Sequence, residues 1–211
     1  MRARGGADQM ISTGIRRPWS LLFSLLAFAG CAAIGVPATS DPAGKLRDAT
    51  ALFDRQDRPL PAERLIREAL EIYQKNGDQL GVAEAYRTYG FFFRSGSVGG
   101  KWSKFYRNNG FLDRSATFDT RYTKSIEYFE MARAIFSAHQ RFDALTNVDL
   151  NIGFTFELMG DRQAACQAFD RSRQDNTELL RRKPGTRIEL PQGVATYEQF
   201  LAPHRQRAGC S

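Results

Sequence analysis

Between Asp143 and Ser172 the apolar and small residues fall at Val148, Ile152, Gly153 and Phe156, and then at Ala165, Phe169 and Ser172. Spacings of three and four put each set on one helical face, so the pattern predicts two short amphipathic helices. Gly160-Asp161 stands between them. A glycine there can take the left-handed conformation that ends a helix, and an aspartate can cap the next one, so the pair reads as antiparallel. The same template fits Tyr86, Tyr89, Gly90 and Phe93 followed by Ser125, Phe129 and Ala132. Further upstream it fits Leu46, Ala49 and Phe53 followed by Ala62, Ile66 and Ala69. Three units emerge, and the expected fold class is all-α.

These units resemble the tetratricopeptide repeat, whose first helix carries a large residue, then Leu-Gly and an aromatic, and whose second carries Ala, a large residue and Ala. Ala69 to Phe93, ALEIYQKNGDQLGVAEAYRTYGFFF, is most similar to the longer variant of that repeat, with its Gly-Asp linker and Ala-Tyr entry. The match covers residues 43–178. Three positions depart from it. Thr50 stands where the first unit should have a small helix-contact residue, Asp149 where the third should have a large apolar one, and no proline closes any second helix.

The resemblance implies an α-solenoid of antiparallel helix pairs that binds peptides or protein surfaces in a groove lined by the first helices. Carried over position by position, that groove holds Arg47, Arg87, Phe91, Arg94, Asn147, Leu150, Phe154 and Glu157. Ala51 stands where the carboxylate-clamping members have Asn in their first unit, so a clamp of that kind is not implied. Helical stripes alone also fit an ordinary antiparallel bundle.

The template is interrupted at residues 95–121. From Gly90 to Ser125 is 35 positions, against 12 from Gly153 to Ala165. Gly-Ser and Asn-Asn-Gly segments supply turn chemistry, yet the insert also carries Trp102, Phe105, Tyr106, Phe111 and Phe118, with Lys101, Lys104 and Arg107. A loop of this length inside a compact domain is more often functional or mobile than idle. Trp102, Phe105 and Tyr106 are therefore expected to offer rigid contacts to a partner, with Lys101, Lys104 and Arg107 steering an acidic one.

Arg16 and Arg17 precede an apolar run from Leu21 to Ala29 that ends in Ala29-Gly30-Cys31, the layout of a signal peptide over residues 1–30. The ending Phe28-Ala29-Gly30-Cys31 resembles the bacterial lipoprotein box. That resemblance implies that Cys31 becomes the first mature residue and carries lipid (palmitate), and Ala32 after it is what outer-membrane members show. A plain secretory signal cut near Ala33 is the alternative. Residues 31–42 read as a tether. At the other end, residues 179–211 read as a capping helix and tail: Lys183-Pro184-Gly185 stops one helix, and Leu190-Pro191 starts a last one with Val194, Tyr197, Phe200 and Leu201 on one face. The tail from Arg205 is expected to fray.

The whole chain carries a formal charge of +7, part of it from the arginines of the first 30 residues. So modest a balance in an exported protein does not point to nucleic acid. With Cys31 lipidated, Cys166 and Cys210 remain, and in an oxidising compartment they either pair or stay as a half-buried thiol and a free one. Gly96 to Ser103, GSVGGKWS, lacks the glycine spacing of a phosphate loop and has Trp102 where Ser or Thr must reach magnesium. The two histidines, His139 and His204, have no metal-ligand spacing, and there is no Gly-x-Ser-x-Gly elbow. No cofactor and no catalysis are expected. The sequence thus leads to a non-catalytic protein-binding lipoprotein facing the periplasm, a scaffold or assembly factor for an envelope machine. An immunity lipoprotein that plugs a toxin with the insert is one alternative. A saccharide-binding protein or enzyme of the cell wall, holding paired carboxylates beside Trp102, is the other.

Overall fold

In the computed structural model, which describes residues 39–210, Asp41 opens the first helix by accepting from the backbone of Ala43 and Gly44 at 3.0 and 2.9 Å. The expected signal peptide, the lipid-bearing Cys31 and most of the tether lie outside the described residues. Helix α1 (Pro42–Asp54) turns back into α2 (Pro59–Lys75), which begins on Pro59, where a missing N–H costs nothing. Asp78 caps α3 (Gln79–Arg94) through the Gly81 N–H at 2.9 Å. After the insert come α6 (Arg121–Ala138) and α7 (Phe142–Met159). Gly160 ends α7 at φ 79°, and Asp161 caps α8 (Arg162–Arg182) through the Ala164 N–H at 3.0 Å. Among the described residues every element is helical, as the periodicity predicts.

Each long helix packs on its neighbours in the chain, α6 taking the place beside α3 that the insert leaves open. Small residues set these approaches. A Cβ on Gly90 would lie 2.6 Å from the Phe129 ring, and one on Gly153 would lie 2.4 Å from the Phe169 ring, so both crossings exist only because those side chains are missing. Ser125 and Ser172 fit the same crossings, their buried hydroxyls donating to the carbonyls of Gly90 and Thr146 at 2.7 and 2.6 Å. In the first pair Ala49 holds the buried contact, while Thr50 is exposed and donates to Leu46 O at 2.9 Å.

The insert is not a free loop. Two short helices, α4 (Gly96–Gly99) and α5 (Ser103–Asn109), fold it down onto α1 and α3. Val98, Tyr106, Phe111, Ala116 and Phe118 are buried in the same core as Phe53, Phe92 and Phe93. Tyr106 stacks on Phe111 at 4.4 Å, and Tyr128 of α6 stacks on Tyr89 at 4.7 Å.

The C-terminal end also differs from expectation. Residues 183–196 are irregular, with Gly185 and Gly193 at positive φ, and α9 (Tyr197–Ala208) starts only after Thr196 caps it through the Gln199 N–H at 3.2 Å. Val194 therefore falls outside the helix. Tyr197 and Leu201 do cover Phe169 and Leu150. The tail does not fray at Arg205: Ala208 is buried, and Cys210 is bonded to Cys166 with Cα atoms 5.4 Å apart.

Candidate functional site

Arg87, Phe91 and Arg94 lie four and three residues apart on α3, and Asn147, Asn151 and Phe154 repeat that interval on α7. The two faces meet through their polar groups. Arg87 Nη1 donates to Asn147 Oδ1 at 3.4 Å, and Arg94 Nη2 donates to Asn151 Oδ1. Asn151 is fixed for this by its own Nδ2, which donates to Asn147 O at 2.7 Å.

The two rungs differ in charge. Arg87 is neutralised by Glu84, one helical turn away at 2.5 Å. Among the described residues Arg94 has only the neutral amide of Asn151. Its guanidinium carbon lies 5.4 Å from the Phe91 ring centre and 6.0 Å from those of Phe129 and Phe154. Its Nε is buried with no hydrogen-bond partner. Burial draws its pKa down to about 10, and no carboxylate acts against that shift. The group stays cationic at neutral pH, at the expense of solvation its surroundings do not replace.

The other expected groove residues are engaged otherwise. Arg47 pairs with Asp41 at the start of α1, 3.2 Å away. Leu150 is buried under α9, and Glu157 pairs with Arg207 of α9 at 3.3 Å. Phe154 packs edge-on against Phe169 at 5.6 Å and against His204 at 4.7 Å. Burial and the nearby Arg207 hold that histidine below its ordinary pKa. Phe91 is half-buried and edge-on to Phe129 at 5.2 Å.

The insert residues divide. Tyr106 is 1% exposed, so its ring is core and offers no contact, a correction to the expectation above. Trp102 is half-buried, its Nε1 donating to Asp57 O at 2.8 Å, and Phe105 packs edge-on against it at 5.9 Å. Gly-Ser and Asn-Asn-Gly turns around these rings give the segment the look of an exposed loop in sequence. Six aromatics in and beside one insert, counting Tyr122, are equally the signature of a segment that folds onto a core. Lys101, Lys104 and Arg107 are exposed, Lys101 pairing with Asp57 at 3.3 Å and Arg107 with Asp119 at 2.7 Å.

Beside the insert lies a cleft of about 250 Å³ lined by Arg67, Leu70, Tyr89, Leu112, Asp113 and Tyr128, with Arg114 at its rim. Burial pushes Asp113 up, but bonds from Ser115 and Tyr128 and the charge of Lys124 more than offset it. Its neighbour Glu63 is 2% exposed, accepts from the backbone of Leu112 and Asp113 at 2.7 and 3.4 Å, and is raised to about 7, chiefly by burial. Two carboxyl groups with separated pKa values invite an acid–base reading. Glu63, however, is sealed beneath the backbone it holds and does not line the cleft.

A second charged centre was visible in sequence only as a misfit. Asp149, at the position where the repeat has a large apolar residue, is fully buried between α6 and α8. Arg133 Nε donates to both its oxygens at 3.1 and 3.0 Å, and Arg171 Nε donates to Oδ1 at 2.8 Å. Asp175 stands close to it and is pushed well above the carboxylate range, first by burial and then by the nearby Asp149 carboxylate. Among the described residues no group of His, Cys, Asp and Glu is arranged to hold a metal ion. No described helix is long and apolar enough to cross a membrane. Comparison with known proteins finds no matching family model, no matching curated protein and no matching solved structure.

Proposed function

We propose that the chain is a non-catalytic protein-binding module whose helix pairs stack as tetratricopeptide-like repeats, with α9 as the cap and the α3–α7 face as the binding surface. The repeat reading is supported by the paired crossings Gly90–Phe129 and Gly153–Phe169, which stand at equivalent template positions. The binding reading rests on one observation. Arg94 is a half-buried guanidinium among aromatic rings with a neutral partner, an arrangement that contributes little to folding and much to recognition.

In this reading the protein is held by lipid on Cys31 at the periplasmic side of the outer membrane, where it scaffolds or assembles an envelope machine. A disulfide between Cys166 and Cys210 accords with an oxidising compartment. The immunity alternative relied on an exposed aromatic insert, and the burial of Tyr106, Phe111 and Phe118 removes most of that feature. The saccharide-enzyme alternative relied on two carboxylates open to one cleft, and Asp113 stands there without Glu63.

The test is cross-linked capture from the native envelope. Deleting the insert is unsuitable, because that strips core residues. The comparison instead sets the wild type beside Phe91→Ala/Phe154→Ala on the α3–α7 face and Lys101→Glu/Lys104→Glu/Arg107→Glu on the insert. A stoichiometric partner lost only with the first pair is the expected result. Loss only with the insert triple moves the site to the insert and overturns the groove.

A further inference from the structure

Three features stood out among the described residues: the cleft beside Asp113, the exposed pair Leu158 and Met159 at the end of α7, and the uncompensated Arg94. The third carries furthest. Arg94 uses Nη2 on Asn151, its Nε is buried without a partner, and its Nη1 engages none of the described residues. Burying an ionised group is unfavourable unless an opposite charge meets it. Nearby, the protein meets that condition elsewhere: Arg87 has Glu84, while Arg133 and Arg171 share Asp149. Among the described residues only the Asn151 amide and phenylalanine rings stand beside Arg94.

We infer that Arg94 is the receptor for one acidic side chain of the partner, an Asp or Glu inside an extended segment with apolar residues on both sides of it. A guanidinium binds a carboxylate through charge-assisted N–H donors, and the outer end of the group, where Nη1 carries two N–H donors that no described residue uses, supplies them. Phe91 on α3 and Phe154 on α7 both border the guanidinium, which calls for apolar groups before and after the acid. A free chain end provides them on one side only. The lowered pKa agrees with a cation held short of its full solvation. This inference rests on the α3–α7 face being the binding surface.

Two randomised peptide libraries test it against the full mature chain, one displaying internal segments and one displaying free C-termini. From the internal library the wild type is expected to enrich Asp or Glu flanked by apolar residues. In the best binder Arg94→Gln should weaken affinity roughly 10- to 100-fold, the range for a lost charged hydrogen bond. Replacing the peptide's acid by its amide should do the same, and the two losses should not add. The Arg94 Nε–Hε NMR resonance should shift with the acidic peptide and stay with the amide. Enriched peptides with no acidic preference, or a preference that survives Arg94→Gln, overturn the carboxylate while leaving the groove intact. Enrichment only from the free-terminus library overturns the internal segment. No enrichment from either library overturns both the inference and the groove.

Discussion

Two centres in this protein bury arginine beside α7, and they solve the same electrostatic problem in opposite ways. At one, Arg133 of α6 and Arg171 of α8 converge on Asp149, which is completely enclosed and bonded through both oxygens. At the other, Arg94 of α3 meets the amide of Asn151 and the rings of three phenylalanines. The first is closed: every charge has its complement inside the chain, so the cluster fixes how α6, α7 and α8 sit. The second is open. A cation left with neutral partners adds little to folding and keeps its attraction for something outside.

The sharpest way to break this comparison is Arg133→Ala with Arg171→Ala. Asp149 then stays buried without a cation, and stability should fall by about 3–5 kcal/mol, roughly 10 °C in Tm by thermal melting. A loss no larger than that of a surface double mutant would show that Asp149 does not need its partners.

Next in size is Asn151→Asp, which gives Arg94 a counter-charge and makes the open centre resemble the closed one. The charged bond gains about 2 kcal/mol over the neutral one, and losing the Nδ2 bond to Asn147 O returns about 1, so a net rise of about 1 kcal/mol is expected. Acidic peptides should lose their advantage in the same variant. A denaturant melt and a binding curve on one sample check both halves.

The pH dependence follows in size. Glu63 and Asp175 both have folded-state pKa values raised above the usual carboxylate range, Glu63 to about 7. The native chain therefore holds these protons more tightly than the unfolded chain does. Their contribution is fully present below pH 4 and is lost as the pH rises toward 7. Asp175→Asn and Glu63→Gln should each flatten the fall in Tm between pH 4 and 7.5, Glu63→Gln more, because Asp175 is only half-buried and better screened. A profile that keeps its slope in both variants would assign it to other groups.

Smallest is Arg94→Gln. Removing the uncompensated charge should change stability by less than about 0.5 kcal/mol, or raise it, in contrast to the loss at the closed centre. A fall of several kcal/mol would make Arg94 a structural tie between α3 and α7.

How much of this was legible beforehand varies with distance along the chain. The helices, the Gly160-Asp161 junction and the small-against-large contacts at Gly90 and Gly153 are set by spacings of a few residues, and the periodicity found them. Arg87, Phe91, Arg94 and Phe154 came from the repeat template and do meet across α3 and α7. The closed centre was half visible. Asp149 at an apolar position signals a charge that must be partnered, but Arg133 and Arg171 lie 16 and 22 residues away, and only the packing of three helices chooses them. The insert misled because its turn residues are local and its burial is not: Tyr106 and Phe111 find Phe92 and Phe93 only once the loop has folded back. The late start of α9 has a similar cause, since the positive φ of Gly193 outweighs the helix-opening signal of Pro191.

The bond between Cys166 and Cys210 joins positions 44 residues apart. Consider a pull applied through whatever follows Cys210. The load enters the fold at Cys166, in the first turns of α8, and the rest of α8, the irregular stretch and α9 carry none of it. About 150 Å of extensible chain is thereby kept out of the force path, at roughly 3.4 Å per residue. A protein pulled between its first helix and Cys210 would lose helices among α1 to α7 before its cap was stretched.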